Sequence, residues 1–320
     1  MSSEVSYTAE EIAKLLKISK LTVYDLIKRG ELPSYRVGKQ LRVDAEDLEA
    51  YKRRTRGTPR TEVRIDSSPS DLPAAPALPQ TPVGGIRPIV ITGQDISLDI
   101  LTKHMEKRIT GFRPLRSYVG SMDSLISMYR GESDIVSTHL LDGDTGEYNL
   151  PYVRKLFVGF SFLVVNLLSR NAGLYVRQGN PLGIRTWEDL GNPGLRLVNR
   201  EKGSGARVLL DEQLRLHGIK PEQLDGYAFE QTNHLGVASK VASGEADVGV
   251  GIEKAALIVG QLDFIPLIRE RYDLVVLKNR NTQPWLPALL EILRSDNFRK
   301  ELGTIAGYDL TRTGEILFET

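Results

Sequence analysis

Apolar residues in the first 56 positions recur at helical spacing in two short blocks, Ile12, Leu15 and Leu16, then Leu21, Val23, Leu26 and Ile27. Thr8-Ala9-Glu10-Glu11 ahead of the first block is a capping box: the threonine caps the third helical N–H and the glutamate reaches back. Ser19 is a candidate cap for the second helix. Lys28-Arg29-Gly30 ends it with cations at the negative pole and a glycine at the cap. The period then drops to two. Tyr35-Arg36-Val37 and Leu41-Arg42-Val43 predict short strands around a turn at Gly38-Lys39-Gln40. Asp44 opens a last helix, DAEDLEAYKRRTR.

From Ile86 the pattern becomes strand, loop, helix, repeated. Predicted strands are Pro88–Thr92, Leu115–Val119, Asp134–Ser137, a long one at Val158–Leu168, then Leu195–Asn199, Gly226–Phe229, Ala246–Val250, Asp263–Leu267 and Asp273–Leu277. Leu286–Gly303 is the closing helix. Several strands end in small or polar residues just before a helix: Thr92-Gly93-Gln94, Gly120-Ser121, Thr138-His139 and Gly203-Ser204-Gly205. In open α/β sheets that edge is where ligands bind, and free N–H groups at helix starts favour anions.

Between the two patterns lies Gly57–Gly85, with prolines at 59, 69, 73, 76, 79 and 82. It has too few apolar side chains to offset the cost of ordering, and so predicts an extended spacer. The charge is uneven on either side. Residues 1–60 hold 13 Lys and Arg against 9 Asp and Glu, while the remainder hold 29 against 32. A basic small domain beside a mildly acidic larger one points to nucleic acid for the first only. The chain has no cysteine, which excludes disulfides and thiolate metal sites and fits a cytoplasmic protein. Its N-terminus has no apolar signal core, and its apolar runs are too short to span a membrane.

Residues 6–56, with the cue TAEEIAKLL followed by TVYDLIKRGELPSYRVGKQLR, resemble the excisionase and MerR-like winged helix-turn-helix family. The resemblance implies that the helix from Lys20 enters the major groove of double-stranded DNA, and that the wing from Arg36 through Lys39 to Arg42 grips the phosphate backbone. Lys20, Thr22 and Tyr24 lie near the helix start, where base edges are read. The runs YNLPYVRKL, LVNREKGSGARVLLDEQL, GEADVGVGIEKAA and LDFIPLIRERYDLVVL resemble the periplasmic-binding-protein-like domain of molybdate- and tungstate-responsive regulators. That resemblance covers nearly all of residues 86–317. It implies an α/β protein in which the winged helix (1–56) and linker (57–85) precede a two-lobed type II binding-protein domain (86–320). Lobe I would be 86–167 and 268–320, and lobe II 168–267, closing on a ligand by a hinge. Gln94-Asp95 stands where the family pattern has Ser-His, Ser137-Thr138 where it has Ala-Gly, and Ala206 where it has Thr. All three departures fall at implied ligand contacts and none at a fold position.

The candidate ligand contacts are therefore Thr92, Gly93, Gln94, Gly120, Ser121, His139, Ser204, Gly205, Arg207 and His234. Arg207 either neutralises an anion or pairs with Asp211 at i,i+4. None of the four histidines has metal-ligand spacing, and no nucleophile–base signature is present, so neither a metal, a cofactor nor an enzyme is expected. The reading is a homodimeric transcriptional regulator sensing a small oxyanion, molybdate or tungstate. An alternative is a molybdenum-cofactor-related module binding a pterin-like or other organic ligand. A third is an architectural DNA-binding protein whose larger domain only dimerises. Cavity volume separates the first two, a several-hundred Å3 pocket favouring the organic ligand.

Replacing Arg36, Lys39 and Arg42 together with alanine is expected to weaken binding to every DNA sequence. The salt dependence should flatten by roughly one unit per lost phosphate contact. Loss confined to one sequence in a gel-shift salt series, with the slope unchanged, would make them base readers.

Overall fold

The computed structural model describes residues 6–16, 20–28, 32–37, 40–45, 47–48, 51 and 87–320. The predicted linker and most of the helix after Asp44 lie outside these. Contacts divide the chain into two compact units, Met1–Ala75 and Pro76–Thr320.

In the first unit, β1 (Ser6–Thr8) runs into α1 (Ala9–Leu16), followed by α2 (Lys20–Lys28), β2 (Tyr35–Val37) and β3 (Gln40–Asp44). The capping box forms as its residues dictate: the Thr8 N–H donates to Glu11 Oε2 at 2.8 Å, and the Glu11 N–H donates to Thr8 Oγ1 at 3.4 Å. The hairpin of β2 and β3 gains β1 on its far side, a strand the alternation did not predict. Ile12, Val23, Leu26, Leu32, Val43 and Leu48 form the buried core.

The second unit begins with β4 (Arg87–Thr92), α3 (Ser97–Arg108), β5 (Phe112–Ser117), α4 (Ser121–Tyr129), β6 (Ile135–Thr138) and α5 (Leu150–Leu156). Then come β7 (Phe162–Arg177), β8 (Leu197–Arg200), α6 (Gly205–Leu216), β9 (Glu230–Gln231), α7 (His234–Ala242), β10 (Val248–Ile252) and α8 (Glu253–Val259). The chain ends through β11 (Leu262–Leu277), α9 (Leu286–Arg294), α10 (Asp296–Gly303), β12 (Tyr308–Asp309) and β13 (Ile316–Glu319). The strands form one sheet in the order β5-β4-β6-β11-β7-β10-β8-β9, with β12 and β13 also on β7. Two strands of 16 residues, β7 and β11, pair antiparallel and carry the chain from one lobe into the other. Asp263–Leu267 and Asp273–Leu277 are thus one strand. A register shift at Pro266/Ile268 relieves the bend, and Gly173 leaves room for it, since a Cβ there would lie 1.9 Å from the Ile265 carbonyl oxygen.

Two further expectations are corrected. Gly226–Phe229 is a turn ahead of the two-residue β9, held where the Gly226 backbone crosses Leu197. The closing helix is two helices, because Ser295 leaves the helical region and accepts the Phe298 N–H to cap α10.

At the crossover Arg170 of β7 stands opposite Glu270 of β11. Its guanidinium lies 2.6 Å from both Glu270 Oε1 and Asp95 Oδ2, and its carbon stands 4.7 Å over the Tyr272 ring. The three charged groups are 4%, 1% and 8% exposed for Arg170, Glu270 and Asp95. Burial works against the Asp95 charge, yet Arg170 holds that carboxyl below its usual range. Glu270 and Asp95 keep Arg170 fully charged against the same burial. Arg170→Met would strand two buried carboxylates. It is expected to cost about 3–5 kcal/mol in urea unfolding; a change below about 1 kcal/mol would show that water reaches the triad.

Candidate functional site

Below the sheet's switch point the two lobes enclose a cavity of about 300 Å3. From lobe I it is lined by the loop Gly93-Gln94-Asp95-Ile96, by Val119, Gly120 and Ser121 at the start of α4, and by Ser137 and His139 after β6. Lobe II and the crossover bring Ser204-Gly205 at α6, Asn233-His234-Leu235 at α7, Ile252, Lys254, Ala255 and Ile258 around α8, and Arg170, Arg200 and Tyr272.

Each helix start is built by its sequence. Asn233 accepts the Gly236 N–H at 2.8 Å to cap α7, and Ser204 accepts the Arg207 N–H at 3.3 Å to cap α6. Neither cap reaches the first N–H groups of its helix. Gly120, before α4, has no side chain with which to cap. As a result the backbone N–H groups of Ser121, Gly205, His234 and Leu235 have no protein partner among the described residues. All four residues line the cavity, from both lobes. Unpaired donors at helix N-termini are where an anion is best received.

The Ser121 hydroxyl accepts the His139 backbone N–H at 3.3 Å and lies 3.0 Å from His139 Nδ1. Which of the two donates in the Ser121–Nδ1 contact is set by the imidazole tautomer. His139 meets the start of α6 edge-on, possible only because residue 205 is glycine: a Cβ would lie 2.2 Å from Nε2. Burial, helped by Arg170 and Arg200 and opposed by Glu270, holds the His139 pKa at about 4. Burial and the neighbouring Arg200 also keep His234 neutral, and its Nδ1 is buried without a partner. Both rings are uncharged at neutral pH.

The lobes touch across the cavity mouth. The Met122 N–H donates to the Gly203 carbonyl at 3.0 Å, Arg200 Nη2 donates to Gln94 Oε1 at 2.7 Å, and Gln94 Nε2 donates to Glu201 Oε1 at 3.2 Å.

Of the sequence candidates, Gly93, Gln94, Gly120, Ser121, His139, Ser204, Gly205 and His234 line this cavity. Thr92 does not: it is 2% exposed and its hydroxyl meets Ser133 Oγ at 3.1 Å, because the alternation of β4 turns it into lobe I. Arg207 does not either. Its guanidinium is held by Asp211 at 3.1 Å, Glu230 at 2.9 Å and the Arg200 carbonyl at 3.1 Å, over the Tyr227 ring. Ser204 faces the cavity, but its hydroxyl is committed to the Glu201 carbonyl and to the cap. Arg170, Arg200 and Lys254 were missed, since nothing local distinguishes them from surface cations in strands and helices. Among the described residues no cluster of three or more His, Cys, Asp or Glu is placed to hold a metal ion, and no helix is long and apolar enough to cross a membrane.

In the first unit Lys20 Nζ pairs with Glu10 at 2.5 Å, Tyr24 is exposed, and Arg42 Nη1 donates to Ser6 Oγ at 3.1 Å. Thr22 lies on α2 and Arg36 on β2, with side chains outside the described set. Lys39 lies wholly outside it.

Residues 102–294 match the model of the PBP superfamily domain, and residues 6–56 match a helix-turn-helix domain. The chain belongs to the PBP superfamily. It is 51% identical over 321 residues, all of both chains, to the uncharacterized protein YvgK of Bacillus subtilis strain 168. Among solved structures, a histidine kinase sensor domain with similarity to periplasmic binding proteins matches at a TM-score of 0.51 and 12% identity, over 69% of this chain and 97% of that one. The sulfate-binding protein SubI of Mycobacterium tuberculosis H37Rv matches at 0.50 and 15%, over 69% and 86%. These two likenesses establish the binding-protein fold. A helix-turn-helix joined to a PBP superfamily domain fits a ligand-responsive DNA-binding regulator.

The histidines give the site a pH signature. Their folded pKa values lie below the unfolded value near 6.5, so the unfolded chain takes up more protons as pH falls through the window below about 6.5, which for His139 reaches down to about 4. Their contribution to stability is complete above that window and is lost as pH falls through it. A thermal-melt series is expected to show Tm falling faster from pH 7 to 5 in the wild type than in His139→Gln. Parallel curves would remove His139 from this role.

Proposed function

We propose that this protein is a DNA-binding transcriptional regulator that takes a small anion in the cleft of its PBP superfamily domain. The observation that carries the reading is the set of unpartnered N–H groups at Ser121, Gly205, His234 and Leu235, drawn from three helix starts in two lobes and facing one cavity. The uncharged His139 ring lines the same cavity. A cage of neutral donors suits an anion that carries no proton, and molybdate and tungstate are the inorganic candidates. Binding would hold the lobes closed and so change the disposition of paired winged helices on a two-fold DNA site. A homodimer follows from the need for two half-sites.

A second reading rests on the cavity itself. At about 300 Å3 it exceeds a four-oxygen anion, which needs on the order of 120 Å3 if each oxygen takes the ~30 Å3 share of a water. Its wall includes Val119, Ile252, Ala255 and Ile258. A larger organic anion, pterin-like or otherwise, is favoured by that volume.

Calorimetry on the full chain with molybdate, tungstate, sulfate and pterin-6-carboxylate tests both. The inorganic reading expects micromolar or tighter binding of molybdate or tungstate and a margin over sulfate of at least tenfold, about 1.4 kcal/mol. Heat with the pterin alone selects the second reading, and no heat with any of the four, nor any rise in Tm, removes the anion receptor altogether.

A further inference from the structure

Charge in the cleft is almost entirely committed. Arg170 is held by Asp95 and Glu270, and Arg200 by Glu201 at 2.7 Å and by the Gln94 amide oxygen. Lys254 differs. It is the second residue of α8, immediately after the buried strand β10, and its half-buried side chain lines the cavity beside Ile252, Ala255 and Ile258. No carboxylate lies within ion-pair distance of it among the described residues. Its Nζ stands 5.1 Å from the centre of the Tyr308 ring and donates at 3.4 Å to the Tyr308 hydroxyl oxygen. That hydroxyl gives its own proton to Asp95 Oδ1 at 2.6 Å, so its oxygen is an acceptor for the ammonium. One of the three ammonium donors is used, by a neutral phenol, and two are left. The Asp95–Arg170–Glu270 triad behind Tyr308 carries one net negative charge, which keeps the ammonium oriented without consuming it.

We propose that Lys254 is the specificity residue of the cleft, its ammonium matching a full negative charge of the ligand, so that the site ranks ligands of one shape by their charge. This rests on the anion reading above. The neutral N–H groups would recognise shape and take any anion that fits. Lys254 alone among the cleft cations has no carboxylate within ion-pair distance among the described residues, so its charge is left for the ligand. Burial lowers its pKa somewhat, an effect that an incoming anion reverses.

The test uses the full chain and two matched pairs, each differing by one charge: tungstate and perrhenate, both tetrahedral, and pterin-6-carboxylate and pterin. Dissociation constants are measured for the wild type, Lys254→Met and Lys254→Arg, with thermal melts to establish that both variants fold. In the pair that the wild type binds, the more highly charged member is expected to lose roughly tenfold or more in Lys254→Met, the other much less, and Lys254→Arg is expected to keep the ranking. An unchanged charge margin in folded Lys254→Met overturns the assignment and leaves the anion receptor standing. Failure of the wild type to bind either charged member overturns both.

Discussion

Arg170 joins the three parts of the binding domain that must agree before a cleft can exist. It sits in β7 where the chain crosses between lobes, faces Glu270 on the returning strand β11, and reaches Asp95 in the loop that ends β4. Burying three charges is costly, and hydrophobic residues of equal volume would stabilise such a crossing at least as well. What the triad adds is geometry. Asp95 accepts from Arg170, from the Ser97 N–H at 2.8 Å and from the Tyr308 hydroxyl. One carboxylate thereby fixes the start of α3, the crossover and β12 relative to one another. Both oxygens of that carboxylate are engaged, which leaves none free for a ligand.

In the cavity, the donors come from backbone more than from side chains. Helix caps ordinarily satisfy the second or third N–H of a helix, and Ser204 and Asn233 do so here. The first N–H groups are then directed at whatever lies in the cleft, a field without net charge. Such a field favours an anion while the committed arginines keep the cavity from being strongly positive when nothing is bound. Lys254 is the exception, a cation on the cavity wall with no carboxylate within ion-pair distance among the described residues.

Much of this could be read from the chain, and what could not has a physical reason. The capping box at Thr8 and the strand-to-helix handovers at Gly120 and Ser204 are local, and the structure places them as the local pattern indicates. Thr92 is an error of one pleat: the strand end was located correctly, but alternation turns this residue inward. The position of Arg207 was open between cleft and surface, and an aromatic ring 20 residues away settled it. Arg170 and Lys254 owe their environment to contacts across 75 and 54 residues, and a short-range pattern does not contain such information. The long strands β7 and β11 were read as shorter ones because bulges and a proline interrupt their apolar pattern at the crossover.

The contacts that hold the lobes together bear on how such a cleft could signal. Across the mouth are a few hydrogen bonds, Met122 to Gly203 and Gln94 to Arg200 and Glu201, and further out Glu212 with Gly143 and Arg215 with Asp144. The exposed ones among these contribute little net free energy, about 0–1 kcal/mol each, because water replaces them on opening, whereas Arg200 is buried, and Leu141 and Tyr148 from lobe I lie in the buried apolar cluster of lobe II. The balance between open and closed forms is therefore set by apolar packing as well as by these hydrogen bonds. A ligand can shift that balance only by what it gains in the closed form over the open one. On the proposed reading, donors from α4 in lobe I and from α6 and α7 in lobe II would meet a single bound group only when the lobes meet, so most of their binding energy would be realised in the closed state. About 2.7 kcal/mol of such differential affinity changes a balanced equilibrium to one of roughly a hundred to one. Two or three charge-assisted hydrogen bonds, at about 1.5–3 kcal/mol each, are enough to supply it.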